Sequence, residues 1–205
     1  WSSLVGSEMC IRDRYNAVID KVKAFDNIIF SVKNTRTDFW RYNLFNPVIG
    51  TGDKEQAMEF LCQDGYNFKN SIPYYDVIRM AKGPKELGGQ GGMKYGFEAG
   101  VRTAWGWLSA DGWCGPYIKR EEWLGANIYG FSRLTWDVDS DPLVLAKEWA
   151  AIEFEVEYKS KVADVIAEIL MLSEDLILKS RYFKNYSIKK EGWLPSNNWI
   201  RDELI

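Results

Sequence analysis

Three apolar stretches, each followed by a long polar or glycine-bearing connection, restrict this chain to a parallel α/β arrangement. Ile28-Ile29-Phe30-Ser31-Val32 reads as one buried strand, Gln56–Gln63 (QAMEFLCQ) as a second and Phe97–Trp105 as a third. All three carry apolar residues on both faces, as strands do when both faces of their sheet are covered. Strand, long loop, helix and strand again is the rhythm of βα units. Tyr15, Val18, Ile19, Val22 and Phe25 recur at helical spacing, which predicts an amphipathic helix over 15–25. Tyr74–Lys82 reads as a short helix, and Gly83 to Gly92 as a flexible loop. Three βα units do not close a sheet by themselves. They fit the last part of a (β/α)8 TIM barrel, whose functional residues sit at the C-terminal ends of the strands and in the loops beyond.

After the third strand the pattern turns helical. Glu121–Trp136 carries Trp123, Asn127, Gly130, Phe131 and Leu134 along one side. Ser140-Asp141-Pro142 pairs a capping side chain with a first-turn proline and starts a helix over Leu143–Phe154, with Leu143, Ala146, Ala150 and Phe154 on one face. Lys161–Phe183 forms a longer helix whose core side is read as Val162, Val165, Ile166, Ile169, Leu170 and Ile177. Asp164, Glu168, Glu174 and Asp175 interrupt it too often for a membrane span. The expected organisation is therefore barrel over 15–120 and a helical C-terminal domain, truncated, over 121–205. Residues 1–14 (WSSLVGSEMCIRDR) have no signal-peptide pattern. Their SSLVGSEMCIRDR string resembles translated sequencing-adapter read-through in metagenomic assemblies, and they are expected to be disordered and foreign to the fold.

Histidine is absent from the chain. That removes Ser-His-Asp and Cys-His catalysis and histidine-ligated zinc, and leaves acid–base chemistry to carboxylates, Lys, Tyr or Cys. Cys10, Cys62 and Cys114 show no CxxC spacing, so no zinc knuckle or redox motif is supported; the odd count favours reduced thiols and a cytoplasmic setting. A net charge of −3 supplies no basic field for nucleic acid. The run GGQGG over Gly88–Gly92 lacks the lysine and spacing of a phosphate loop. No metal and no cofactor are implied.

The candidate chemistry lies at the strand ends. Lys33 follows the first strand, Asp38 and Asp64 occupy the loops after the first and second, and Trp105, Trp107 and Trp113 crowd the loop after the third. Two carboxylates at successive strand ends are the minimal equipment of a glycoside hydrolase, and Trp-rich walls stack on sugar rings. Each residue taken singly also has an ordinary account: a loop aspartate caps a turn, a strand-end lysine is solvated, and a Trp-rich loop lids a core. Arg102 inside an apolar strand reads as half of a barrel-interior salt bridge, and Glu121, Glu122 and Glu148 as helix-surface charge.

Three segments resemble the α-glucuronidases of glycoside hydrolase family 67. They are FSVKNTRTD (Phe30–Asp38), QAMEFLCQDGY (Gln56–Tyr66) and LGANIYGFSRLTWD followed by LAKEW (Leu124–Asp137 and Leu145–Trp149), the last being the most specific. The resemblance implies a barrel ending near Trp105 with a helical domain packed on it. It also implies an inverting hydrolase of xylan degradation, removing (4-O-methyl)glucuronic acid from xylo-oligosaccharides. Lys33 then matches the lysine that holds the uronate carboxylate, and Asp38 one of two carboxylates that activate water. The second falls on Gly65, with Asp64 beside it. The proton donor belongs to an earlier strand, so the fragment alone is expected to be inactive. The expected partner is a uronic-acid-bearing oligosaccharide, with no nucleic acid and no membrane, and the full-length protein could be a homodimer. The alternatives are a non-catalytic carbohydrate-binding barrel relative and a helical interaction module.

Overall fold

A computed structural model of the chain describes residues 8–22, 27–35, 45–62, 74–85, 91–107 and 122–181. In chain order these form α1 (Glu8–Ile19), β1 (Phe30–Lys33), β2 (Gln56–Leu61), α2 (Val77–Lys82), α3 (Met93–Glu98), β3 (Thr103–Trp107), α4 (Glu122–Leu134), α5 (Pro142–Glu153) and α6 (Lys161–Arg181). The three strands make one sheet in the order β1-β2-β3, parallel throughout. The fold is thus a small parallel sheet with helices, adjacent in the order the sequence suggests. Among the described residues no helix is long and apolar enough to cross a membrane.

One face of the sheet is built from Val32, Met58, Phe60, Ala104 and Gly106, and helices cover it. Gly96 of α3 lies so close to Met58 that a Cβ there would overlap the thioether sulfur. On β3, a Cβ at Gly106 would come within 2.9 Å of the Phe131 ring of α4. Phe131 also packs on Phe60, ring centres 5.7 Å apart. Small residues at these two points let the helices seat directly on the strands, and Met58 and Phe60 are fully buried there.

The helical part is fastened to the sheet part by the extended segment before α2. Asn127 of α4 accepts from Asp76 N–H (2.7 Å) and donates to the Tyr74 carbonyl (2.9 Å). Ser173 of α6 accepts from Tyr75 N–H at 2.9 Å, and the Tyr75 hydroxyl donates to the Pro142 carbonyl at the start of α5. Backbone groups outside a helix or ladder need such partners when buried, and here side chains of α4 and α6 supply them, while α5 receives the Tyr75 hydroxyl. Asp76 and Arg79 form a buried ion pair one turn apart. Asp141 caps α5, its carboxylate accepting from Leu143 N–H at 2.8 Å, with Pro142 in the first turn.

Several boundaries and faces depart from the sequence reading. Helix α1 starts at Glu8, not Tyr15, and ends at Ile19, not Phe25. Residues 8–14 are therefore helical rather than disordered, and Arg12 reaches the Pro47 carbonyl. β3 begins at Thr103, because Phe97 belongs to a helix, α3, that ends in a turn with Gly100 at φ +96°. Glycine adopts that conformation without the clash a side chain would bring. Arg102 consequently precedes the strand, lies exposed and donates to the Phe97 carbonyl at 3.2 Å. On α5 the buried residues are Leu145, Ala146, Trp149 and Ala150, while Leu143 and Phe154 are exposed. On α6 the buried side is Ala163, Ala167, Leu170, Ser173 and Glu174. Val162, Val165 and Ile169, read as core, are exposed instead. The reason is close packing: α5 and α6 bury small residues, Ala146 and Ala150 on one and Ala163 and Ala167 on the other, and small residues permit a near approach that a branched side chain would block.

Candidate functional site

The parallel register sets Lys33 of β1 opposite Glu59 of β2, and Glu59 opposite Trp105 of β3. Side chains alternate along a strand, so residues paired across neighbouring strands share a face. Lys33, Glu59 and Trp105 therefore stand abreast on the face away from α3 and α4, with Ser31 one step behind Lys33. The indole N–H of Trp105 donates to Ser31 Oγ at 2.8 Å. Ser31 Oγ lies a long 3.5 Å from Glu59 Oε2. Lys33 and Glu59 are half-buried, Ser31 is exposed, and Trp105 keeps 41% of its surface open, a large share for an indole within a sheet. A cation, a carboxylate, a hydroxyl and an aromatic face converge over three strands.

Two buried residues follow the strand ends, and the first of them ties β1 in place. Asn34, immediately after Lys33, is buried; its amide donates to the Gly91 carbonyl at 3.0 Å and ties the end of β1 to the loop before α3. Cys62, immediately after β2, is buried, and burial pushes its thiol up to about 12, with the nearby Asp76 carboxylate adding to the effect. A thiol held protonated in this way is not a nucleophile.

Of the six site residues expected from the sequence, the structure brings Lys33 and Trp105 together on one face. Trp107 ends β3 opposite Leu61, and its side chain lies outside the described residues. Asp38, Asp64 and Trp113 also lie outside the described residues. Glu59 and Ser31 were not singled out by sequence reasoning. A signal existed for Glu59, the one charge within QAMEFL, but only the register shows which residues it faces. A separate hollow of about 410 Å³ opens at the other end of the sheet, lined by Gly50, Lys54, Gln56 and Arg102 among others. It lies at the N-terminal ends of β2 and β3, away from Lys33.

The helical motif LGANIYGFSRLTWD with LAKEW has a structural account. Asn127 satisfies the segment before α2, and Gly130 gives way to Val77 at a close approach of α4 and α2. Phe131 and Leu134 enter the core, and Trp149 is buried with them. Glu148 accepts from the Tyr129 hydroxyl at 2.9 Å and lies 3.6 Å from Arg133 Nε, so it joins α5 to α4 rather than serving as free surface charge. Burial and the Glu148 bond both raise the Tyr129 phenol above its usual range. These residues seat the helical part on the sheet. No curated protein matches the chain. Residues 121–190, which contain this motif, match the family model described as glycosyl hydrolase family 67 C-terminus.

Proposed function

Starting from a chain that is a relative of glycosyl hydrolase family 67, we propose that it is the C-terminal part of an inverting α-glucuronidase acting on uronic-acid-bearing xylo-oligosaccharides. The glycoside-hydrolase relation rests on the family match over 121–190. The observation that carries the finer reading is the alignment of Lys33 and Trp105 on one sheet face, a cation beside an open aromatic surface. A uronic acid offers the matching pair, a carboxylate and an apolar ring face. In this reading β1–β3 are the last strands of a (β/α)8 barrel, and their polar face is its interior.

The roles follow. Lys33 holds the uronate carboxylate and so fixes the sugar's orientation. Asp38 acts as general base on the attacking water, with Asp64 assisting. Trp105, Trp107 and Trp113 form the walls against which the sugar packs. The proton donor comes from an earlier strand of the barrel, so this chain by itself is expected to bind without turning over. In an inverting enzyme the two carboxyl groups stand roughly 6.5–9.5 Å apart, leaving room for water between them.

A non-catalytic sugar-binding role is favoured by one observation. Gly65 stands where the resembled pattern places its second carboxylate, and Asp64 is offset from it by one residue. The test joins this chain to an upstream barrel half from a family 67 enzyme and assays release of glucuronic acid from an aldouronic acid. Turnover lost in Asp38→Asn, with product binding kept, supports the hydrolase. Product binding without turnover in any form supports the binder. Failure of Lys33→Ala to weaken binding of glucuronic acid would sink both.

A further inference from the structure

The residue after Lys33 is held at three points, each on a different segment. Asn34 N–H donates to the Glu59 carbonyl of β2 at 2.9 Å, and the Asn34 carbonyl accepts from Asn46 N–H at 3.1 Å. Its side-chain amide donates to the Gly91 carbonyl at 3.0 Å. Thr35, next along, bridges to Phe45, whose ring packs edge-on against Tyr95 of α3 with centres 4.5 Å apart. We infer that Asn34 is a positioning residue of the candidate site: through Gly91 it fixes the end of β1, and with it the root of the Lys33 side chain. The inference rests on the uronic-acid reading above. It gives a role to two features which that reading leaves unused, a buried asparagine and the end of the GGQGG run.

Both partners are shaped for this contact. Gly91 has φ +98°, a conformation that glycine adopts without strain and a residue with a side chain rarely reaches. Asn34 is 3% exposed and acts as a donor, since its own Oδ1 is buried with no hydrogen-bond partner in the protein. An unmatched buried acceptor costs stability, so packing alone would not favour an asparagine here. The tie works from the side opposite the ligand. Alternation along the chain sends the Asn34 side chain to the covered side, where Gly91 precedes α3, while Lys33 stands on the other. A lysine ammonium sits at the end of four methylenes, and holding it on a carboxylate costs side-chain freedom. The end of a four-residue strand frays unless the residues beyond it are tied. Were the end of β1 to open, Lys33 would be competent to bind only part of the time, and the apparent affinity would fall by that fraction. The bond from Asn34 to Gly91 removes this loss before any ligand arrives.

The test titrates the whole chain, labelled with nitrogen-15, with sodium D-glucuronate and follows the Lys33 amide and the indole N–H resonances. Asn34→Ala and Gly91→Ala are each expected to weaken binding on the order of fivefold, the weight of one buried neutral hydrogen bond. The double variant is expected to bind no more weakly than either alone, because both changes break the same contact. In each variant the Lys33 amide is expected to broaden by exchange, and saturating D-glucuronate to sharpen it again. Asn127→Ala removes a different buried asparagine, from the clamp on α4, and is expected to bind as the unaltered chain does. The inference is overturned if Asn34→Ala binds as tightly as the unaltered chain while Lys33→Ala abolishes binding; that result leaves the uronic-acid reading intact. It is overturned equally if Asn127→Ala weakens binding as much as Asn34→Ala, since a general loosening of the fold would then be the cause. Binding untouched by Lys33→Ala, or no binding by the unaltered chain, overturns the uronic-acid reading and the inference with it. If Asn34→Ala disturbs the indole signal of the buried Trp149, Gly91→Ala, which leaves every side chain of the site in place, decides.

Discussion

The two faces of the sheet are made by alternate residues of the same three strands, and they differ in chemistry. Val32, Met58 and Phe60 point into a core closed by α3 and α4, where Met58 and Phe60 have almost no exposed surface. One residue along, Ser31, Lys33, Glu59 and Trp105 form a polar and aromatic patch that keeps part of its surface open, beside Ala57 and Leu61, which are buried on the same face. Parallel sheets ordinarily have both faces covered. A second face bearing lysine, glutamate and serine is costly to bury dry, because each of those groups needs a polar partner once water is removed. Such a face suits a wet, ligand-binding surface, and on the proposed reading the difference between the two faces separates what holds this protein together from what it recognises.

The sharpest way to break that comparison is to truncate neighbouring residues of β2 that point in opposite directions. Phe60→Ala removes a ring packed on Phe131 and is expected to cost about 3–5 kcal/mol of unfolding free energy. Glu59→Ala, one residue away, is expected to stay within about 1 kcal/mol. Urea unfolding of the two variants measures both. Equal destabilisation would mean that the polar face is a packed core, and the site reading would lose its foundation.

A smaller effect probes the clamp that keeps the helices on the apolar face. Asn127 is fully buried, and its amide satisfies Asp76 N–H and the Tyr74 carbonyl. Asn127→Ala leaves both backbone groups without their partner and is expected to cost about 1–3 kcal/mol. Hydrogen exchange should then speed up at Asp76. If only α4 loosened while the segment before α2 kept its protection, the fastening would lie elsewhere, with Ser173 and Tyr75 the next pair to test.

How much of this was legible in the sequence divides along the same line. The three strands and their parallel adjacency could be read from apolar runs and long connections, and Lys33 and Trp105 from their place at strand ends. Glu59 could not, because a strand's alternation gives two faces without saying which partner each residue meets; that needs the register. The third strand was placed too early since Phe97 and Val101 are apolar at a spacing that helix and strand share, and only the Gly100 turn separates them. On α6 two apolar stripes compete. The larger residues Val162, Val165, Ile169, Leu172 and Leu176 form the exposed stripe, and the buried one includes the small Ala163, Ala167 and Ser173. Hydrophobicity ranks those stripes wrongly because the contact is governed by how closely two helices approach. Asp38, Asp64 and Trp113 lie outside the described residues, so the loop half of the expected site rests on the sequence, on strand-end position for all three and on the resemblance for Asp38.

The smallest expected effect lies at the end of β2, where the buried face supplies Cys62. Burial lifts its thiol from the ordinary 9.0 to about 12. The unfolded chain releases this proton first, so between pH 9 and about 12 the folded state binds more protons than the unfolded one. By linkage, stability is complete below the lower value and declines as pH rises through the window. From pH 8 to 9.5 the loss from this one group is under about 1 kcal/mol. The buried Tyr75 phenol is raised too, chiefly by burial, and contributes with the same sign at higher pH. Comparing urea midpoints of the chain and Cys62→Ala across pH 8–9.5 isolates the thiol: the packing lost in the variant is constant over that range, while the thiol's contribution is not. Parallel pH profiles for the two proteins would mean that water reaches Cys62, and the face under α4 would be more open than Phe131 and Gly106 imply.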